Sequence, residues 1–255
     1  MRTNSPEDAE VVLQKLPSDI GIHRNPRKGT LNAPEVILDG LEFEATVFVD
    51  EVFPDEFDLA ETQRRIRDNT REVSDYETPV ISVGGDHSVS YPAVKALKQE
   101  NPEMQLVWLD AHLDLKQKVG DNVSHDAVVR QLVEEDIFRP EEVFFVGVTR
   151  IDGDEEKYLE DRDFNLYRSD EVDEFLREFT TGEQPVYLSL DIDALDVEGT
   201  GYRDGELSVE EVRKVIDELR VEHADLVEVA PPLDDGATVE AARKLLKHLV
   251  EAGTV

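Results

Sequence analysis

An α/β fold with a mostly parallel central sheet, covered by helices on both faces, follows from three features of the sequence. Short runs rich in Val, Ile, Leu and aromatic residues alternate with longer segments of helical period. Those runs end in Gly, Asp or Pro, as buried strands do. No low-complexity tract or short repeat interrupts the alternation, so one domain is expected over 1–255. The first run, 45–49 (ATVFV), precedes a helical pattern near 57–74; 79–83 (PVISV) precedes one at 89–100. Then 105–109 (QLVWL) leads to 125–135, and 143–148 (VFFVGV) to 170–179. The run 185–190 (PVYLSL) leads to 208–221, which Ser208 and Glu211 open as a capping box. Finally 225–229 (DLVEV) leads to 236–252, where Ala241, Leu245, Leu246 and Leu249 form one stripe.

Composition narrows the chemistry. There is no cysteine, which removes disulfides, thiolate metal sites and cysteine nucleophiles together. Sixty acidic residues against 27 basic ones give a net charge of −33. Like charge repels phosphate, so nucleic acid is excluded as a partner. At low salt such a charge destabilises a compact chain by self-repulsion, and molar salt screens it. The acidity therefore reads as adaptation to a high-salt cytoplasm. No apolar window is long enough to span a membrane, and the N-terminus lacks an export signal, so a soluble cytoplasmic protein is expected.

In sheets of this kind ligands bind beyond the carboxyl ends of the strands. PVISV is followed by Gly84-Gly85-Asp86-His87-Ser88, QLVWL by Asp110-Ala111-His112-Leu113-Asp114, and VYLSL by Asp191-Ile192-Asp193 and then Asp196. If these segments stay extended, alternation turns Asp110, His112 and Asp114 to one side, and likewise Asp191 and Asp193. So many carboxylates at one edge need a counter-charge. Two divalent cations supply it, and carboxylate plus imidazole suits Mn²⁺, Fe²⁺ or Zn²⁺ better than Ca²⁺. Such a pair acidifies a shared water for attack on an electrophilic carbon. Acidic residues at strand ends are also ordinary turn formers, and Asp86 and Asp196 are expected to cap turns or support ligands.

These segments, with Ser124-His125, Ser189 through Asp196 and Val227-Glu228-Val229-Ala230-Pro231, resemble the ureohydrolase family of arginases, agmatinases and formimidoylglutamases. The blocks run in the family's order over the C-terminal two thirds. The resemblance implies a three-layer α/β/α sandwich and two Mn²⁺ per subunit, cleaving a guanidino or amidino substrate. It implies that Asp110 and Asp191 bridge the metals, that His87 and Asp114 complete one, and that His112 and Asp193 complete the other. His125 would shuttle a proton and Glu228 would bind the guanidinium. A homo-oligomer, trimer or hexamer, is implied as well.

Departures from the pattern refine the expectation. Asp126 stands where many members have glycine, the loop 196–201 is compressed, and 28–34 is only loosely similar. The 118–123 segment lacks the arginase pattern that grips an α-amino acid. An agmatine-like substrate is therefore expected over arginine. Formimidoylglutamate is the alternative, with Arg130 or Arg150 as carboxylate partners; a metal-binding homologue without turnover, acting as a scaffold, is another. A single-zinc amide hydrolase of the deacetylase type uses fewer acids.

Overall fold

The computed structural model describes residues 1–22, 28–179, 184–197 and 204–253. Nine strands lie among them: β1 (Arg2–Thr3), β2 (Val11–Leu16), β3 (Val47–Glu51), β4 (Val80–Gly84), β5 (Gln105–Leu109), β6 (Val143–Val148), β7 (Asn165–Arg168), β8 (Val186–Asp191) and β9 (Val221–Val227). They form one sheet in the order β1-β3-β2-β4-β9-β8-β5-β6-β7, with every neighbouring pair parallel. The helices are α1 (Ala33–Leu38), α2 (Leu59–Ser74), α3 (Ser90–Glu100), α4 (Val128–Glu134), α5 (Gly153–Leu159), α6 (Val172–Glu178), α7 (Val209–Glu218) and α8 (Ala237–Ala252).

Strand alternation divides the core in two. Val107, Leu188, Leu190 and Leu226 face a cluster that takes in Ile37 of α1, Phe175 of α6, Val215 of α7 and Leu246 of α8. Trp108, Phe145 and Tyr187 point the other way, against Val73 of α2, Leu97 of α3, Leu132 of α4 and Tyr158 of α5. This is a three-layer α/β/α arrangement. The caps follow local chemistry. The Asp58 carboxylate accepts from the Glu61 N–H at the start of α2, and Ser208 with Glu211 closes the expected capping box on α7. No helix among the described residues is long and apolar enough to cross a membrane.

Six expected strands are present within a few residues of their expected bounds, and β1, β2 and β7 are additional. The expected helix 125–135 divides into a 3-10 turn at His125–Ala127 followed by α4. Helices α1 and α5 are short additions. Because all strands run the same way, the carboxyl ends of β4, β5, β8 and β9 deliver their following residues to one edge of the sheet.

Candidate metal centre

The site begins where β4 ends. Gly85 passes so close to the N-terminal segment that a Cβ there would lie 1.8 Å from the Ser18 carbonyl oxygen. The Asp86 carboxylate then accepts from the Ser88 N–H at 2.9 Å and the Gly21 N–H at 3.0 Å. It caps a 3-10 turn and anchors the N-terminal segment; burial lifts its carboxyl to about 6. The cap points the next side chain, His87, inward. Its ring stacks on Trp108 at 4.0 Å between centroids and 7° between planes. His87 Nδ1 faces Asp114 Oδ2 at 3.1 Å, Asp191 Oδ2 at 3.1 Å and Asp110 Oδ2 at 3.4 Å.

The carboxylates converge by turning, not by the strand alternation expected from sequence. β5 ends at Leu109, and the Asp110 carboxylate accepts the His112 N–H at 2.8 Å. β8 repeats the device: Asp191 accepts the Asp193 N–H at 2.7 Å. A short acid that folds back on the backbone two residues later makes an Asx turn, which explains the same Asp-x-His or Asp-x-Asp spacing at both strand ends. Asp114 reaches the cluster from a left-handed backbone, φ 51°.

These groups perturb one another strongly. Burial and the Asp110 charge lift Asp191 to about 8, and burial, aided by Asp110, lifts Asp114 to about 6 despite His87. Burial opposes the charged form of Asp110, but His112 and His87 hold it below the usual carboxylate range. Burial likewise opposes protonation of His112, yet Asp110, Asp114 and Asp191 raise it to about 10. Buried acids pushed in opposite directions at one point call for a compensating cation. Two further observations show that the residues fit one. His87 Nδ1 and Asp110 Oδ2 are buried without a well-directed hydrogen bond, although oxygens surround that nitrogen. Also, ligand atoms about 2.1 Å from one octahedral ion sit about 3 Å apart, the spacing seen around His87. The ligating atoms of His87, Asp110 and Asp191 all lie within 4.8 Å of one another.

His112 and Asp193 join Asp114 and Asp191 in lining a cavity of about 500 Å³. His125 and Glu228 border the same space, with His125 Nδ1 3.6 Å from Glu228 Oε1. Burial would lower His125, but the Glu228 carboxylate outweighs it and raises the ring to about 9. Glu228 stands just past the end of β9 with φ 64°, and its Oε1 accepts the His87 N–H at 2.7 Å.

The remaining wall joins Lys116, Asp152 and Glu155, which the sequence reading passed over, to Arg150 and Asp126, which it named. Lys116 bonds Asp152 at 2.6 Å and Asp154 at 2.7 Å, and lies 3.7 Å from Glu155. Arg150, at the mouth, pairs with Asp152 and Asp204. Asp126 also lines the cavity, whereas Arg130 pairs with Glu134 and lies over the Tyr158 ring, away from it. These wall residues follow β5 and β6, in loops, a 3-10 turn and the first turn of α5, with no shared motif, so only the fold gathers them. The 118–123 segment closes on itself through a Val119–Asn122 bridge and lends the cavity no described residue. Asp196 is exposed, and 198–201 of the compressed loop lies outside the described residues. The 28–34 segment braces the site, Thr30 Oγ donating to the Ser18 carbonyl at 3.2 Å.

Comparison with known proteins places this geometry. The agmatinase of Bacillus cereus is 30% identical over 271 residues, 96% of this chain and 92% of that protein. The guanidinopropionase of Pseudomonas aeruginosa is 32% identical over 212 residues, 76% of this chain and 66% of its own. The crystal structure of the agmatine ureohydrolase of Thermoplasma volcanium superposes with a TM-score of 0.84 at 25% identity, covering 98% of this chain and 92% of that one. The arginase family model matches residues 9–251, a span that holds every strand end converging on His87 and the whole of the cavity, and the chain belongs to the arginase family.

Proposed function

We propose that this chain is a dimanganese amidinohydrolase that cleaves agmatine, or a guanidino amine of similar charge, to urea and an amine. His87, Asp110, His112, Asp114, Asp191 and Asp193 would hold the two ions, which supply a water acidified toward neutrality. The chain's own residues do the rest. The Glu228 carboxylate pairs with the planar fork of guanidinium N–H groups and sets the carbon over the ligand cluster. His125, held protonated beside Glu228, delivers a proton to the departing nitrogen. Water adds across the C–N bond, oxygen to carbon and hydrogen to the amine.

The observation that carries the substrate class is the charge of the cavity wall. With the four ligand carboxylates balanced by two divalent cations, the wall keeps Asp126, Asp152, Glu155 and Glu228 against Lys116, Arg150 and the protonated His125. That surplus of negative charge complements a substrate with a guanidinium at one end and an ammonium at the other. A guanidino acid would bring its own carboxylate to that wall. Lys116 and Arg150 already have acidic partners.

The test is urea release from agmatine, arginine and guanidinobutyrate, with formamide release from formimidoylglutamate, at molar salt with Mn²⁺. Agmatine turns over best, activity disappears on chelation and Mn²⁺ restores it, and Asp110→Ala loses metal and turnover together. Preference for guanidinobutyrate refutes the charge argument. Silence across the panel with two ions bound refutes the enzyme and leaves the metal-binding scaffold.

A further inference from the structure

Behind the cation-facing side of His87 runs a buried chain of hydrogen bonds that strand register sets up. Ser189 on β8 pairs with Asp225 on β9 and, on its other side, with Trp108 on β5. Residues in register share a face of the sheet, and all three are fully buried. His87 Nε2 lies 2.8 Å from Ser189 Oγ, Ser189 Oγ 2.7 Å from Asp225 Oδ1, and Tyr187 Oη 2.6 Å from Asp225 Oδ2.

Donors and acceptors allow this chain one direction. A carboxylate only accepts, and each hydroxyl has a single proton. Tyr187 and Ser189 each spend theirs on one oxygen of Asp225. Ser189 Oγ therefore meets the imidazole as an acceptor. The hydrogen bond made by one ring nitrogen decides the state of the other, so the neutral ring, the form that can bind a cation, carries its proton on Nε2 and leaves Nδ1 its lone pair. Nδ1 is the nitrogen surrounded by Asp110, Asp114 and Asp191. Asp225 has a second in-register neighbour, Ser82 on β4, but that hydroxyl donates to Gln14 at 3.0 Å instead. The short bonds of Asp225 thus go to the His87 side of the sheet.

We propose that Asp225 is a positioning residue for the metal centre: acting through Ser189, it fixes the His87 ring with its proton on Nε2 and the lone pair of Nδ1 aimed at the cation. This rests on the reading of His87 as a ligand. Asp225→Asn keeps the shape but reverses the polarity. The amide N–H donates to Ser189, whose proton turns toward Nε2 and favours the tautomer that cannot bind metal through Nδ1.

The experiment is a calorimetric Mn²⁺ titration of chelator-stripped protein, wild type against Asp225→Asn, Ser189→Ala, Tyr187→Phe and His87→Ala, with melting temperatures alongside. Wild type takes up two ions, and His87→Ala identifies the site that depends on the histidine. D225N and S189A weaken that same site by about 10–100-fold and leave the other unchanged, while Y187F, which touches the carboxylate but not the relay, binds as wild type does. D225N binding both ions like wild type overturns the proposal, as does loss of both sites in step with a lowered melting temperature. Should D225N fail to fold, S189A decides by the same criteria. A wild type that binds no ion overturns the metal reading itself and is told apart from failure of the relay.

Discussion

Glu228 ties the wall of the cavity to the His87 loop: its Oε1 takes the His87 N–H, its own N–H goes to the Gly85 carbonyl at 2.8 Å, and its carboxylate faces His125. That last contact gives a pH prediction. With a ring pKa raised to about 9, His125 contributes stability that is complete below its unfolded value near 6.5 and is lost as pH rises through about 9. Glu228→Gln removes the charge. The ring then titrates nearer 6.5 by NMR, and kcat/KM falls by about 10²-fold or more as substrate pairing and the proton donor are lost together. An unchanged titration would show that another group holds the proton. At this scale the acids and histidines that gather in the candidate centre were legible, because Asp-x-His and Asp-x-Asp after apolar runs are local patterns. The path of convergence was not: Asx turns and a left-handed Asp114 replace simple alternation. The buried link from Asp225 to His87 was invisible too, since it spans 138 positions and depends on which strands lie side by side.

Among the elements, those missed from sequence share a physical cause. β2, VVLQKL, looks too polar for an interior strand, but Gln14 is fully buried and satisfied by Asn69 and Thr70 of α2. Tertiary hydrogen bonding overrides the local signal there. β7 is a short edge strand, half-buried throughout, and so carries no continuous apolar run. The central strands, buried on both faces, were readable because nothing polar interrupts VISVG or QLVWL except Ser82 and an initial Gln105. The contact between Gly85 and Ser18 makes a prediction at this level. Gly85→Ala forces apart β4's exit and the N-terminal segment, and such overpacking costs about 1–3 kcal/mol or more. Gly153→Ala, at the start of α5 with nothing within 4 Å, changes stability by less than about 0.5 kcal/mol. Equal melting temperatures for the two variants would contradict the packing.

For the whole molecule, charge is the first consideration. A net −33 means that dilute buffer leaves most surface carboxylates repelling one another. The Debye length falls from about 10 Å at 0.1 M salt to about 3 Å at 1 M. The melting temperature therefore climbs with KCl and levels off above about 1 M, each kcal/mol of relieved repulsion being worth roughly 2–4 °C in a chain this long. A flat or falling curve by calorimetry would refute adaptation to salt. The order of the strands has a consequence of its own for biosynthesis. β9, the last strand among the described residues, lies between β4 and β8, and is the piece that joins the β1–β4 half of the sheet to the β5–β8 half. A nascent chain still lacking residues 221–228 can hold His87 on one half and Asp110 and Asp191 on the other, but cannot bring them together. Any cation that this centre holds must therefore wait until the ribosome has made residues 221–228, because before that there is no place for it to bind.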